Sequence, residues 1–360
     1  MRTPPPEVIA SWPEPNYINP SYQGHQLLVV GIILLITSST ILGLRLWVRL
    51  RMKRSAGWDD WIMVATLLFI ICSTVAANLG TKYGWGYHIW DQKPEWSRSS
   101  LMTNYFSQVL LVIIMTLVKL SLLTSYLRFL IVPTFRYLNW AMIVLILGWG
   151  LSFFIVMLVA CRPLNAYWDT TLDASAQCSD EQARTLAFTI TNLIFDIVVL
   201  LLPAPTFWKL QLPIKERLVL IGLMSLGIVA CTASAVRLYY ANRIYHSSYD
   251  TTWEAYQLWL WVLVETNLAV VCASVPTLRP LARRCLPQLG FRGGSRDTHT
   301  ASTYMTHNNT HISRGPQMHA GGQIRQNMVS TDSTEALWGD SFQMTSPRKS
   351  LECKSDFYPS

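Results

Sequence analysis

Four ionisable residues stand within or near long apolar stretches of the chain: Lys119, Asp196, Arg237 and Glu265. A charge left facing hydrocarbon costs several kcal/mol, so each must face protein and find a partner. Asp196 and Glu265 fall near the middle of their stretches, Lys119 lies a turn or so towards the basic loops, and Arg237 lies on the opposite side. This order of depths makes Lys119 with Asp196 or Glu265 the expected ion pair, and leaves Arg237 free to snorkel outward. Such a pair is either a charge lock that a ligand or a proton releases, or a buried pair that fixes helix register. A midplane carboxyl without a cationic partner would have a different use, because burial can keep it protonated as an acid.

Other residues have more local chemistry. Asp59 and Asp60, in the run GWDDW, stand at the start of an apolar stretch, where carboxylates cap exposed backbone N–H groups. Docking of a cytoplasmic effector is the alternative use of that pair. Cys161 and Cys178 flank a polar loop, either bridged as a lid over the outer mouth or as two free thiols. Cys285, in LARRCLP, is a palmitoylation candidate beside basic residues. No phosphate-binding glycine loop, nucleophile elbow or intramembrane metal motif is visible. His307 and His311 have helical metal-ligand spacing but stand in a segment that should not be helical, so no metal site is expected.

The elements that must position these groups follow from composition. The chain is 51% hydrophobic and 14% charged, with a mean hydropathy of +0.26, and its apolar residues gather in blocks about as long as a helix needs to cross a bilayer. Seven spans are expected, at roughly 26–47, 61–80, 104–127, 138–160, 185–207, 218–241 and 255–278. The predicted fold is an all-α, seven-helix membrane bundle, in contact with lipid throughout.

An odd number of spans puts the two ends on opposite sides. Arg49, Arg51, Lys53 and Arg54 follow the first span, Arg128 and Arg136 the third, Lys209, Lys215 and Arg217 the fifth, and Arg279, Arg283 and Arg284 the seventh. The alternate loops are poorer in bases and carry Asp91, Glu95, Asp169, Asp173, Asp180, Glu181, Asp250 and Glu254. The positive-inside rule therefore places the N-terminus outside and the C-terminus in the cytoplasm. The net charge of +8 resides in these loop clusters, which excludes nucleic-acid binding as its explanation. Residues 1–25 read as a short polar outer segment without a cleavable leader, 26–285 as the helical domain, and 286–360 as a disordered cytoplasmic tail too polar to bury a core.

Several motifs occur together in order: GWDDW at 57–61, LVKLSLLTSYLRF at 117–129, ACRPLNAYWD at 160–169 followed by Cys178, Asp196 before LLPAP, SAVRL at 234–238, Glu265, and SVPTLRPL at 274–281. With these the chain resembles the fungal rhodopsin-domain integral membrane proteins, a family that includes the plant-pathogenicity receptor type and the satratoxin-cluster membrane-protein type. The resemblance covers about residues 26–285 and implies a receptor-like bundle. Despite the family's name, a retinal cofactor is not expected, because the seventh span contains no lysine for a Schiff base.

The leading expectation is a receptor-like sensor of a small extracellular or lipid-borne ligand, with a cytoplasmic signalling partner such as a heterotrimeric G protein. The alternative is a membrane-embedded enzyme, cyclase-like, with Glu265 or Asp196 as the acid, or a transporter, in either case serving a secondary-metabolite pathway. The plasma membrane is favoured over an internal membrane.

Overall fold

The computed structural model describes residues 5–53, 57–128, 133–169, 177–203 and 214–285. The proposed tail, with His307 and His311, and the side chain of Cys285 lie outside the described residues. After a one-turn helix, Pro6–Ala10, come seven helices long and apolar enough to cross a membrane. They are α1 Gln26–Trp47, α2 Trp58–Lys82, α3 Pro94–Leu127, α4 Pro133–Leu158, α5 Glu181–Leu201, α6 Ile214–His246 and α7 Thr251–Cys285. The protein is thus a multi-pass integral membrane protein. A π-helical stretch, Val48–Lys53, extends α1. Between α4 and α5, β1 (Cys161–Arg162) pairs antiparallel with β2 (Gln177–Cys178), with Cys161 opposite Cys178. A disulfide joins the two, so the bridged alternative is the one found.

Several helices run past the apolar blocks that reveal them. Helix α3 begins at Pro94 rather than near 104, because Pro at its first position and Glu95 in its first turn start it in a polar stretch that hydropathy does not mark. Helix α5 begins at Glu181, where the Asp180 side chain accepts from the backbone N–H of Gln182 at 3.0 Å. It ends at Leu201, short of the expected 207 and just ahead of Pro203.

The helices form a closed bundle in which α1 packs on both α2 and α7, α6 packs between α5 and α7, and α3 touches α2, α4, α5 and α7. Within the apolar windows, 56% of α3 and of α7 is buried, against 22–33% of the other five. Helices α3 and α7 are therefore the central posts. Val144, Leu147, Leu151 and Ile155 form an exposed stripe at helical spacing along α4. Water would make such a stripe an aggregation surface, whereas lipid solvates it.

The end of the bundle bearing the disulfide loop is termed outer, following the distribution of basic residues. Two connections are cross-braced there. The Trp85 ring stacks on Trp259 of α7, with centroids 5.4 Å apart and planes 7° off parallel. His88 is sandwiched between Trp90 and Trp253, with centroids 4.6 and 4.0 Å away, while its Nδ1 meets Asp250. Backbone bonds join the same parts: Gly86 N–H donates to Thr252 O at 3.3 Å, and Thr252 Oγ1 donates to Tyr87 O at 2.8 Å. The segment before α1 is tied in as well, through Gln23 Nε2 to Trp253 O at 2.9 Å and Tyr256 Oη to Gly24 O at 3.0 Å.

Gly80 permits this arrangement. A Cβ there would lie 2.4 Å from the Trp85 indole, which is itself held by Trp259 and by a 3.1 Å bond from Nε1 to Ser100 Oγ. Gly80→Ala is expected to destabilise the bundle by about 1–3 kcal/mol, as overpacking does where the neighbour cannot retreat. Thermal unfolding in nanodiscs measures this, and an unchanged melting temperature would show that Trp85 can move freely.

Candidate functional site

Two buried polar clusters lie within the bundle. At the midplane, Lys119 Nζ of α3 meets Asp196 Oδ1 of α5 at 2.8 Å and donates to Asn192 Oδ1 at 2.8 Å. Asn192 Nδ2 then donates to Asp196 Oδ2 at 3.0 Å and to Glu265 Oε1 of α7 at 2.8 Å. The hydroxyl of Ser234, in α6, lies 2.9 Å from Asp196 Oδ2 and 2.7 Å from Glu265 Oε1.

Arg237, one turn further along α6, engages Glu265 through two nitrogens: Nε meets Oε2, and Nη2 donates to Oε1 at 3.2 Å. Its Nη1 donates to Thr189 Oγ1 at 3.0 Å. Of the two alternatives for Arg237, a partner within the bundle is found rather than outward snorkelling, since the residue is only 2% exposed. The depth order did not select Glu265 for it, because a guanidinium stem reaches across the interval that separates the two backbone positions. The four charges named from sequence form one neutral network of two cations and two carboxylates, cross-linked by Asn192 and Ser234. Rings cover both cations: Trp149 lies 5.8 Å from Lys119 Nζ, and Phe188 lies 5.8 Å from the Arg237 guanidinium carbon.

This network separates two cavities. The outer one, of about 110 Å³, has apolar walls that include Trp85, Leu111, Met157 and Trp259, with Arg237 and Thr189 among its lining groups. The inner one, of about 60 Å³, is lined by Lys119, Asp196, Ser234 and Glu265 together with Tyr126, Cys231 and Cys272. Arg237 thus faces the outer cavity and Glu265 the inner one.

The disulfide loop supplies the outer rim. Tyr167 Oη donates to Glu181 Oε1 at 2.8 Å, and Gln108 Nε2 and Asn104 Nδ2 reach the same oxygen at 3.2 and 3.4 Å. Burial, and then the Glu181 carboxylate beside it, hold the Tyr167 phenol far above its ordinary range, so it remains a donor.

The second cluster ties together the inner ends of α1, α2, α3 and α7. Asp59 Oδ2 receives Arg45 Nη2 at 2.7 Å, Arg49 Nη2 at 2.9 Å and Ser125 Oγ at 3.2 Å, while Arg128 Nη2 lies 2.7 Å from Asp59 Oδ1. Asp60 takes Arg45 Nε at 3.0 Å and also accepts from Gly57 N–H at 3.1 Å. Capping is thus part of what Asp60 does, but both acids mainly hold arginines. Arg45 Nη1 further donates to Ala273 O of α7 at 2.6 Å. Gly57 has a specific reason to lack a side chain, since a Cβ there would lie 1.5 Å from Arg128 Nη2.

Sequence reading missed Arg45, Arg49, Asn192, Ser234 and Thr189 as members of these clusters. Arg45 carried a usable signal: it lies within the first apolar stretch, one helical turn before Arg49, on the face that must meet the two aspartates. The neutral residues carried none, because Ser, Thr and Asn are common at helix contacts.

Residues 44–284 match the fungal rhodopsin domain. The chain is similar to Receptor GIN3 of Arthrobotrys oligospora, 27% identical over 71% of the chain and 61% of that relative. It is similar to the Polyenoic acids biosynthesis gene cluster protein Ba17b of Metarhizium anisopliae, 27% identical over 78% of the chain and 81% of the relative. A SAT4 family membrane protein of Emericella nidulans is 25% identical over 62% of the chain and 54% of the relative. The chain therefore spans about three fifths of the receptor's length and about half of the SAT4 family protein's. No solved structure matches.

Proposed function

The chain belongs to the fungal rhodopsin-domain family, and from that premise we propose that its bundle is a receptor: a small lipophilic compound entering the outer cavity is reported at the inner helix ends. The observation that carries this reading is the Arg237–Glu265 pair, whose cation faces the outer cavity and whose carboxylate faces the inner one. A ligand that touches Arg237 alters the group that holds Glu265, and through Asn192 and Ser234 the strain reaches Asp196 and Lys119. Such coupling needs only that the ligand bind the two arrangements of this network unequally.

An enzyme acting through a protonated midplane acid has less support, because Asp196 and Glu265 each face a cation. Retinal has no part in this proposal: α7 contains no lysine, and the Lys119 amine is engaged by Asp196 and Asn192. The partner proposed is a cytoplasmic signalling protein such as a heterotrimeric G protein, at the plasma membrane. One relative is named a receptor and another a biosynthesis-cluster protein, which supports a sensor placed close to secondary metabolism.

Lys119→Gln tests the reading without a known ligand. Amide hydrogen exchange in the inner halves of α3, α5 and α7 is expected to rise about tenfold, with the braced outer ends unchanged. An equal rise in both halves would make the network a register pin and would overturn the receptor proposal.

A further inference from the structure

We infer that the outer cavity takes a short-chain lipophilic carboxylic acid, whose carboxylate lodges on the remaining N–H donors of Arg237 while Glu265 takes up one proton. This inference rests on the receptor reading of the cavity and names the chemistry of its ligand.

A guanidinium has five N–H donors. Among the described residues, Arg237 commits its Nε and one Nη2 hydrogen to Glu265 and one Nη1 hydrogen to Thr189. One hydrogen on each of Nη1 and Nη2 is left over. These are two remaining charged donors on one guanidinium, which a carboxylate can engage. Arg237 and Thr189 both line the cavity, whose remaining wall joins aromatic and aliphatic side chains to polar ones such as Ser100, Gln108 and Thr185. A cation beside the apolar surface of Trp85, Leu111, Met157 and Trp259 matches an acid with a hydrocarbon body.

Charge balance determines the rest. The network of Lys119, Asp196, Arg237 and Glu265 is neutral as it stands, so an anion arriving alone would leave an uncompensated charge in a low-dielectric core. Glu181 at the rim also opposes entry of an anion but does not oppose a neutral acid. The acid therefore enters protonated. In net terms its O–H bond breaks and an O–H bond forms on Glu265, across the Arg237 guanidinium on the inner-cavity side: RCOOH and Glu265 carboxylate become RCOO⁻ and Glu265 carboxylic acid, with no change in total charge.

Facing Glu265 are Lys119 from α3, Asp196 from α5 and Arg237 from α6; the thiols of Cys231 and Cys272 and the Tyr126 phenol line the same inner cavity. Asp196 keeps Lys119 as its own cation, whereas Glu265 has to share the single charge of Arg237 with the incoming carboxylate, which makes Glu265 the acceptor. The polar rim of Asn104, Gln108, Tyr167 and Glu181 limits the apolar body to a short chain.

The test is titration of the full chain in nanodiscs with octanoate, and separately with octanol, octylamine and oleate. At neutral pH octanoate should bind best and take up one proton, read from binding heats in two buffers of different ionisation enthalpy. Its affinity should fall about tenfold per pH unit between pH 6 and 8, as linkage to one proton requires. Glu265→Gln should bind octanoate more tightly and lose both the proton uptake and the pH slope; the wild-type slope alone carries the test if that variant folds poorly.

Octanoate binding without proton uptake, or weaker than octanol, octylamine or oleate, overturns the inference. The two proposals fail separately. Octanol binding that loosens the inner halves keeps the receptor and removes the acid, whereas proton-linked octanoate binding with no change in inner exchange keeps the acid site and removes the receptor.

Discussion

Asp59→Asn is expected to destabilise the folded bundle by about 3–5 kcal/mol, the range for breaking a buried ion pair from one side. The side chain of Asp59 is 1% exposed and lies against Arg45, Arg49 and Arg128 at 2.7, 2.9 and 2.7 Å. An asparagine keeps the shape but cancels the charge, leaving Asp60 to balance three guanidinium groups. At this chain size the melting temperature should fall by roughly 10 °C. The stem of Asp59→Glu is one methylene too long for the packed site, so that variant should recover only part of the loss. A melting temperature for Asp59→Asn within about 2 °C of wild type would mean that the arginines find water or lipid headgroups instead.

The second large effect concerns Arg237 and Glu265. Arg237→Met alone leaves a bare carboxylate and Glu265→Gln alone leaves a bare guanidinium, each beside the intact Lys119–Asp196 pair. Each single variant is expected to cost about 3–5 kcal/mol, and the double variant clearly less than their sum, with a coupling energy of about 2–3 kcal/mol. Stabilities additive within about 0.5 kcal/mol would show that the two side chains do not act together in the membrane-embedded protein.

The helices were legible because twenty apolar residues in a row have few other uses, and the dyad of Asp59 and Asp60 was legible as the start of a helix. Chemistry at the midplane was only half legible. Depth left Lys119 a choice of Asp196 or Glu265, and only the packing of α3 against α5 selects Asp196, 2.8 Å away. The partner of Arg237 did not follow from depth, because its reach is comparable to the offset that set it apart. Asn192 and Ser234 could not have been chosen from sequence: their part comes from standing where two carboxylates converge, a property of three helices together. The early start of α3 was hidden for a related reason, since hydropathy marks where lipid begins and not where the backbone coils.

The braces around Trp85, His88 and Trp253 also determine where movement is possible. With its first turn pinned to the loop before α3 and to the segment before α1, the last helix has a fulcrum at its outer end. Its 35 residues span about 52 Å. A swing of about 5° at the pinned end, too small to break the stacks, would carry the far tip about 4–5 Å sideways by the geometry of that length. Glu265 sits partway along the lever, so a shift of an ångström or two at its carboxylate is magnified at the inner tip of the helix.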